Sequence, residues 1–204
     1  DELEFTAGIV GPEALGEQAQ KFIHRHITDS DIPKGWNNQL KLEPGVIISW
    51  RRRWPVWYAQ NIGDFRLRVE PDINISLGNV YTYAGTGAVV TFGPYTGRIQ
   101  DTPPRVRPAM AGTGFFDTPD NELSWYLFAG LDGRAMARNI FLDGNTFRDS
   151  HSVDKKPLVG DANIGFALTF DDYRFAYTLN YRTREFDRQD DASVFGSISL
   201  TTRF

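Results

Sequence analysis

Residues 65–77, FRLRVEPDINISL, decide the fold. Every odd position from Phe65 to Leu77 is apolar, whereas the even positions carry arginine, glutamate, aspartate, asparagine or serine. Side chains of a β-strand point alternately to its two faces, so this period of two predicts a strand with one apolar and one polar face. A tilted strand needs about 9–11 residues to cross a bilayer, whereas a globular strand has about 5–6. The length of this run favours a membrane-spanning strand.

Seven further segments show the same alternation. It is strong in residues 173–182 and 194–204. Weaker versions occupy residues 2–10, 40–54, 79–93, 122–141 and 158–170. The aromatic content of 14% and the 19 glycines also favour strands over helices. The sequence therefore predicts an all-β fold with about eight antiparallel strands.

The apolar strand faces point into lipid in a membrane barrel and into the interior in a soluble one. Charged residues of both signs share the other face, as in the compensated interior of a small membrane barrel. Aromatic residues stand at several strand ends, and the final Phe204 resembles the C-terminal signal of bacterial outer-membrane barrels. We therefore expect a transmembrane β-barrel, with a soluble lipocalin-like carrier as the alternative. The charged residues assigned to the interior are Glu2, Glu4, Lys41, Glu43, Arg51, Arg53, Arg66, Arg68, Glu70, Asp72, Asp132, Arg134, Arg138, Asp161, Arg174, Arg182, Arg184 and Arg203.

The composition fits one domain, residues 1–204, and argues against several other classes of protein. The absence of cysteine excludes disulfides and thiolate metal sites, and the net charge of −4 argues against a nucleic-acid partner. No apolar stretch is long enough for a transmembrane helix. The opening DELE lacks the features of a signal peptide, so we expect a mature or truncated chain.

If the C-terminus faces the periplasm, strand parity assigns each connection to one side of the membrane. The outside receives the turn near Gly78 and residues 11–39, 142–157 and 187–192. The periplasm receives residues 55–62 and 171–172 as turns and the long connection 94–121. Such barrels usually keep periplasmic turns short, so this long connection is unexpected.

One helix is predicted, over residues 12–27 in the first outside connection. The proline at its start and the glutamates in its first turn suit a helix N-terminus. Spacings of four, three and four place Glu13, Glu17, Gln20 and His24 on one face. His24 is the candidate general base, and Gln20, one turn away, is placed to orient it or the substrate. The alternative is a solvated polar face without function.

The remaining candidates are two histidines and a set of oxygen ligands. His26 lies about 200° from His24 around the helix, and His151 falls in another loop. No G-x-S-x-G, HExxH or phosphate-loop motif is present, so activated water is the simplest nucleophile. Ligands for a hard cation would be oxygen atoms near the end of the helix connection. They would come from residues such as Asp29, Asp31, Asn37, Asn38 and Glu43.

Five segments carry a family resemblance: GPEALGEQAQKFIH, KGWNNQLKLEPGVIISWRRRW, LGNVYTYAG, ARNIFLDGNTFRDSHSV and YRTREFDRQDDASVFGSISLTTRF. They resemble the outer-membrane lipid A 3′-O-deacylase family. The resemblance implies a twelve-stranded barrel, of which this chain corresponds to the last eight strands. It also implies an active site between the barrel wall and an extracellular loop helix.

The family's mechanism implies a histidine that activates water and a calcium ion that stabilises the oxyanion. Its Gln-x-x-x-His helix motif falls on Gln20 and His24. The family also places a carboxylate shortly after the histidine, and Asp29 and Asp31 are the nearest ones here, so they are the candidate metal ligands. An Asn-Asp pair used by the family lies in its first four strands, which this chain does not match.

The resemblance implies hydrolysis of an ester-linked acyl chain, the 3′-acyloxyacyl group, of lipid A at the outer leaflet of the bacterial outer membrane. The expected partners are lipid A or lipopolysaccharide and membrane lipid or detergent. We expect a monomer that binds no nucleic acid. The alternative is a catalytically silent outer-membrane barrel with a structural or surface-binding role.

Overall fold

The computed structural model describes residues 1–27, 31–95, 101–112, 115–116 and 123–203. The strands are β1 (Glu2–Val10), β2 (Glu43–Arg53), β3 (Tyr58–Ile62), β4 (Phe65–Gly78), β5 (Tyr81–Pro94), β6 (Leu123–Asn139), β7 (Leu158–Phe170), β8 (Tyr173–Arg182) and β9 (Ser193–Thr202). The helices are α1 (Gly16–His26) and α2 (Ile140–Asp143), and short 3₁₀ turns span Pro12–Ala14 and Trp36–Asn38.

The strands form one antiparallel sheet in the order β1-β2-β4-β5-β6-β7-β8-β9, with β3 added on β4. The prediction of an all-β fold with eight long strands is therefore confirmed as an antiparallel half-barrel. Neither described helix has the length and hydrophobicity of a membrane-crossing helix.

The strand that decides the fold also shows which face points outward. In β4, Ile73 is 40% and Ile75 is 44% exposed, whereas Asp72 is 2% and Asn74 is 6% exposed. Polar side chains therefore line the concave side and apolar side chains the convex side. A soluble barrel would have the reverse arrangement, so the structure supports the transmembrane barrel and not the lipocalin-like carrier.

Ile164 provides a test of the lipid-facing assignment. It lies at the centre of β7 and is 60% exposed on the convex face. Ile164→Arg should destabilise the folded protein in lipid by about 2–4 kcal/mol, because mid-bilayer burial of arginine is costly. Leu158→Arg, on the same face at the end of β7, should cost about 0–1 kcal/mol. Equal unfolding free energies for the two variants in denaturant titrations would contradict the assignment.

Residues 55–62, predicted as a turn, contain an extra strand. β3 pairs antiparallel with the start of β4, from Tyr58↔Val69 to Ile62↔Phe65. Gly63 adopts φ +59 in the two-residue loop between them, a conformation that glycine adopts at little cost. The prediction of a simple turn was therefore wrong. Residues 58–62 form a strand because they pair with the start of β4.

The segment predicted as one helix, residues 12–27, is interrupted at Leu15. Pro12–Ala14 form a 3₁₀ turn, Leu15 adopts φ +60, and α1 begins only at Gly16. The chain folds back at Gly11, where an added Cβ would lie 2.7 Å from the backbone nitrogen of Leu42. This close approach requires glycine at position 11.

Three of the four connections at one end of the sheet are long, whereas the other end carries the two-residue β7–β8 turn, the β3 hairpin and one long connection, β5–β6. One end carries the turn between β4 and β5, the loop that contains α1, the α2 loop and the β8–β9 loop. At the other end β7 and β8 are joined by only Asp171 and Asp172, and Asp171 adopts φ +51. Long loops face the outside in outer-membrane barrels, so α1 lies at the outer end.

The long connection at the periplasmic end turns into the concave side of the sheet. We call residues 101–112 the lumen segment. Pro103, Ala109 and Met110 are buried there, Met110 to 4% exposure. Met110 and Ala109 pack with Tyr83, Met136 and Val159 of three strands. The unexpected length of this connection is thus explained, because part of it fills the interior of the half-barrel.

Hydrogen bonds tie the lumen segment to strands far apart in the sheet. The Arg174 Nη1 and Tyr126 Oη atoms donate to the Asp101 carbonyl at 2.9 and 3.1 Å. Arg182 Nη2 donates to the Val106 carbonyl at 2.9 Å, and Glu4 Oε1 accepts from the Met110 amide at 3.1 Å. The segment therefore links β1, β6 and β8 across the concave side.

Many of the interior charges pair as the sequence predicts, but Lys41, assigned to the interior, lies before β2 and is exposed. Glu2 lies 2.6 Å from both Arg51 and Arg53, and Arg182 lies 2.6 Å from Asp161. Arg184 was assigned to this interior set, but it lies beyond the end of β8 and is exposed on the outer surface. Arg184 departs from the predicted direction because β8 ends at Arg182. Beyond the end of a strand, the alternation no longer sets the direction of a side chain.

We expect the filled interior to conduct ions poorly. The lumen segment and the paired charges occupy the concave side, which leaves little space for a continuous water column. Reconstitution of the protein into planar bilayers should give no large, stable, porin-like conductance. Such a conductance at low applied voltage would contradict the packing of the lumen segment.

Candidate functional site

The loop helix α1 stands at the outer end of the barrel on a small local scaffold. A Cβ atom added to Gly16 would lie 3.8 Å from the Trp36 ring, so the indole lies against the start of α1. Trp36 Nε1 donates to the Pro33 carbonyl at 3.1 Å, which fixes the ring. Residues after the helix thus pack against its N-terminal end.

Gln20 and His24 lie on one face of α1, as their spacing predicts. Both belong to a single α-helix, in which residues four apart are neighbours. Gln20 is exposed and His24 is half-buried. Glu17 shares this face and forms an ion pair with Lys21. Glu13, predicted as the fourth member of the face, lies in the 3₁₀ turn, and that part of the prediction was wrong because the helix begins at Gly16.

The other histidines are placed differently. The centroids of the His26 and Phe22 rings are 5.0 Å apart, on the apolar side of α1. His151 is exposed in the α2 loop. Of the three histidines, His24 alone has a side-chain amide one helical turn away on its own face, and a neutral imidazole there can take a proton from water.

The apolar side of α1 faces outward rather than into a core. Phe22 is 59%, Ile23 is 42% and Ile27 is 69% exposed. An amphipathic helix with such a face at a membrane surface lies in the interfacial layer. The Gln20–His24 face therefore adjoins a surface suited to acyl chains.

Glu43 organises the rim beside the helix loop. Its side chain is 2% exposed, and its oxygens accept from Asn79 Nδ2 at 3.0 Å, Asn145 Nδ2 at 3.0 Å and the Thr146 amide at 2.7 Å. Asn145 also exchanges two hydrogen bonds with the backbone of Lys41, at 2.8 and 2.9 Å. We call Glu43, Asn79, Asn145 and Thr146 the rim cluster; it fixes the segment that leaves the helix loop.

The rim cluster corrects one prediction. Glu43 was among the candidate ligands for a hard cation, but N–H donors occupy both of its oxygens. A carboxylate whose two oxygens both accept hydrogen bonds from N–H groups holds neighbouring segments together and does not serve as a cation ligand. Its role could not be seen in the sequence, because Asn145 and Thr146 are about a hundred residues away along the chain.

Of the two candidate metal ligands, the structure describes one. Asp31 is exposed, and Asp29 lies outside the described residues. Among the described residues, no three histidine, cysteine, aspartate or glutamate side chains come together in a group that could hold a metal ion. Calcium takes six to eight oxygen ligands, so Asp31 alone does not form a calcium site, and we assign no chemical step to a metal.

A second charged centre lies in the lumen. Arg105 Nη1 is 2.8 Å from Asp132 Oδ2, and Arg107 forms an ion pair with the other oxygen of the same carboxylate. Asp72 Oδ2 lies 3.6 Å from Arg105 and 3.5 Å from Arg107. Burial and the neighbouring Arg107 lower the pKa of Arg105 to about 10, opposed by the two aspartates. Arg105 is thus charged at neutral pH, and the cluster is a structural network.

Comparisons with known proteins agree with this architecture. The family model described as outer membrane protein LpxR matches residues 1–204. The solved structure of LpxR from Salmonella typhimurium superposes with a TM-score of 0.79 at 24% sequence identity. The match covers 99% of this chain and 66% of that one, so the chain spans somewhat less than two thirds of the relative's length. No curated protein matches the chain.

Proposed function

The chain belongs to the outer-membrane protein LpxR family and has its place in the bacterial outer membrane, and on this premise we propose that it hydrolyses an ester-linked acyl chain of lipid A. The reaction would remove the 3′-acyloxyacyl group at the outer leaflet. The observation that carries the proposal is the Gln20–His24 face of α1, which stands at the outer end of the barrel beside an exposed apolar face.

The proposed chemistry uses His24 as general base. A neutral imidazole takes a proton from water, and the resulting hydroxide attacks the ester carbonyl carbon. The imidazolium can then return the proton to the leaving alkoxide, so the acid and the alcohol are released without a covalent enzyme intermediate. Gln20 would hold the imidazole or the carbonyl in position through its side-chain amide.

The apolar face of α1 would place the substrate. Ile23 is the exposed apolar residue next to His24 in the helix, and it offers contact area to acyl chains. The ester of an outer-leaflet lipid lies near the depth of its headgroup, and an amphipathic helix in the interfacial layer would lie at that level. A lipid substrate therefore needs to leave the membrane little, if at all, to reach His24.

Mass spectrometry of lipid A from cells that express the protein tests the proposal. The expected result is a loss of one acyloxyacyl group relative to cells carrying an empty vector. Unchanged lipid A at full expression in the outer membrane would instead favour the silent barrel. That second function is favoured by one observation, namely that no group of three acidic or histidine side chains surrounds His24 within the described residues.

Calcium dependence is a separate proposal taken from the family resemblance. A chelator should stop deacylation in isolated outer membranes, and added calcium should restore it. Magnesium at the same concentration is the control, because its small, rigid octahedral shell suits a different site. Full activity after chelation would show that the protein alone stabilises the oxyanion. We further propose that the protein acts as a monomer, which the mass of its detergent complex tests.

A further inference from the structure

The convex face of the barrel carries a groove at its outer end, away from α1. The groove has a volume of about 810 Å³. Its walls are formed by two rows of facing residues on β5, β6 and β7. The rows are Ala84–Ala135–Leu158 and Thr86–Gly133–Gly160. Of these six residues only Leu158 is large, and the other five, which are alanine, threonine or glycine, create a depression in an otherwise bulky apolar surface.

A second groove continues the first toward the centre of the membrane. It has a volume of about 540 Å³ and is lined by apolar side chains of the next rows. These rows include Ala88–Leu131–Ala162 and Val90–Ala129–Ile164. From Ala84 to Val90 the strand rises about 20 Å, or about 15 Å along the membrane normal at a tilt near 40°. That depth is half of the roughly 30 Å hydrocarbon core, which is the length of one leaflet.

Two cations stand at the head of the groove, where lipid headgroups lie. Lys156 and Arg184 both line it. Lys156 is paired with Asp187, whereas the Arg184 side chain forms no ion pair with the described residues. Thr183 exchanges two hydrogen bonds of 2.9 Å with the Gly160 backbone, which holds the adjacent Arg184 at the head of the groove.

We infer that the two grooves together bind a second molecule of phosphorylated, acylated lipid, of the lipid A class, with its phosphate on Arg184. Acyl chains would lie along the two grooves over the depth of one leaflet, and the guanidinium would bind phosphate through paired hydrogen bonds. The site is separate from the Gln20–His24 face, since α1 is inserted between β1 and β2. The identity of the lipid rests on the proposed function, whereas the shape and charge of the groove do not.

The grooves allow a sharp test because their floor can be filled. A Cβ added to Gly133 meets no atom within 4 Å, so Gly133→Leu occupies the upper groove without a clash in the barrel wall. Arg184→Gln removes the charge at its head. The matched controls are Arg188→Gln, an exposed arginine in the same loop, and Ala7→Leu, an exposed residue of β1.

The measurement is native mass spectrometry of the detergent-solubilised protein titrated with bisphosphorylated lipid A. We expect Arg184→Gln and Gly133→Leu each to lower the fraction of protein that retains lipid by about tenfold, with both controls unchanged. Dephosphorylated lipid A should bind wild type weakly and should not respond to Arg184→Gln. Heat-dependent migration on gels checks that every variant is folded.

Each outcome decides the proposal. Equal lipid retention by wild type, Arg184→Gln and Gly133→Leu overturns the site. A response to Gly133→Leu alone overturns the phosphate assignment, because it shows a groove that binds acyl chains without charge. Hydrolysis is measured separately on the same samples: its absence with groove binding intact contradicts the proposed function and leaves the groove in place.

Discussion

Replacing His24 with alanine is expected to lower the rate of the proposed lipid A deacylation by about 10²- to 10⁴-fold while the barrel remains folded. General-base catalysis typically contributes this much, and the alanine side chain cannot accept a proton from water. Folding should be spared because α1 has no buried residue and stands outside the sheet. The measurement is the fraction of deacylated lipid A over time in outer membranes that contain equal amounts of folded protein.

Two control variants separate chemistry from structure. Gln20→Ala should cost less than His24→Ala, because water can partly replace an orienting amide. His26→Ala should change the rate little, since His26 packs on Phe22 on the other side of α1. If His24→Ala deacylated lipid A at the wild-type rate, the polar face of α1 would be no more than a solvated surface, and the catalytic assignment would be lost.

The long strands could be predicted because their signal is local. β7 was predicted over residues 158–170, which are its bounds in the structure, and the alternation in residues 65–77 marked β4. The period of two reports directly on a sheet with one face in lipid. The strand β3 escaped prediction because its five residues carry no clear alternation, and its pairing depends on Gly63 and β4.

The features that were missed depend on contacts between residues distant in sequence. The break before α1 follows from the approach of Gly11 to Leu42, and the buried state of Glu43 follows from donors in another loop. The i, i+4 relation of Gln20 and His24 needs only helical geometry, so that pair could be predicted. Its catalytic use and the binding of a metal require neighbours beyond the helix, and these stay predictions.

The lumen segment is the largest such feature, and Asp132 is the residue on which it most depends. Asp132 of β6 is the main partner of both Arg105 and Arg107. A Cβ on the facing Gly87 would lie 2.2 Å from Asp132 Oδ1, so glycine there leaves the space that the carboxylate occupies. Pairing across this point explains why a connection from the periplasmic end runs inside the half-barrel.

Asp132→Ala is therefore expected to destabilise the protein by about 3–5 kcal/mol, because it leaves two buried guanidinium groups with Asp72 as their remaining carboxylate. The matched control is Asp172→Ala, which removes the partner of Arg203 in a half-exposed pair at 3.1 Å and should cost less than about 1 kcal/mol. Denaturant unfolding in detergent measures both changes. A second substitution, Arg107→Leu, should recover part of the loss in Asp132→Ala because it removes one of the uncompensated charges. An Asp132→Ala protein as stable as wild type, or one that Arg107→Leu destabilises further, would mean that the lumen segment is held by its apolar contacts and backbone hydrogen bonds instead of by this carboxylate.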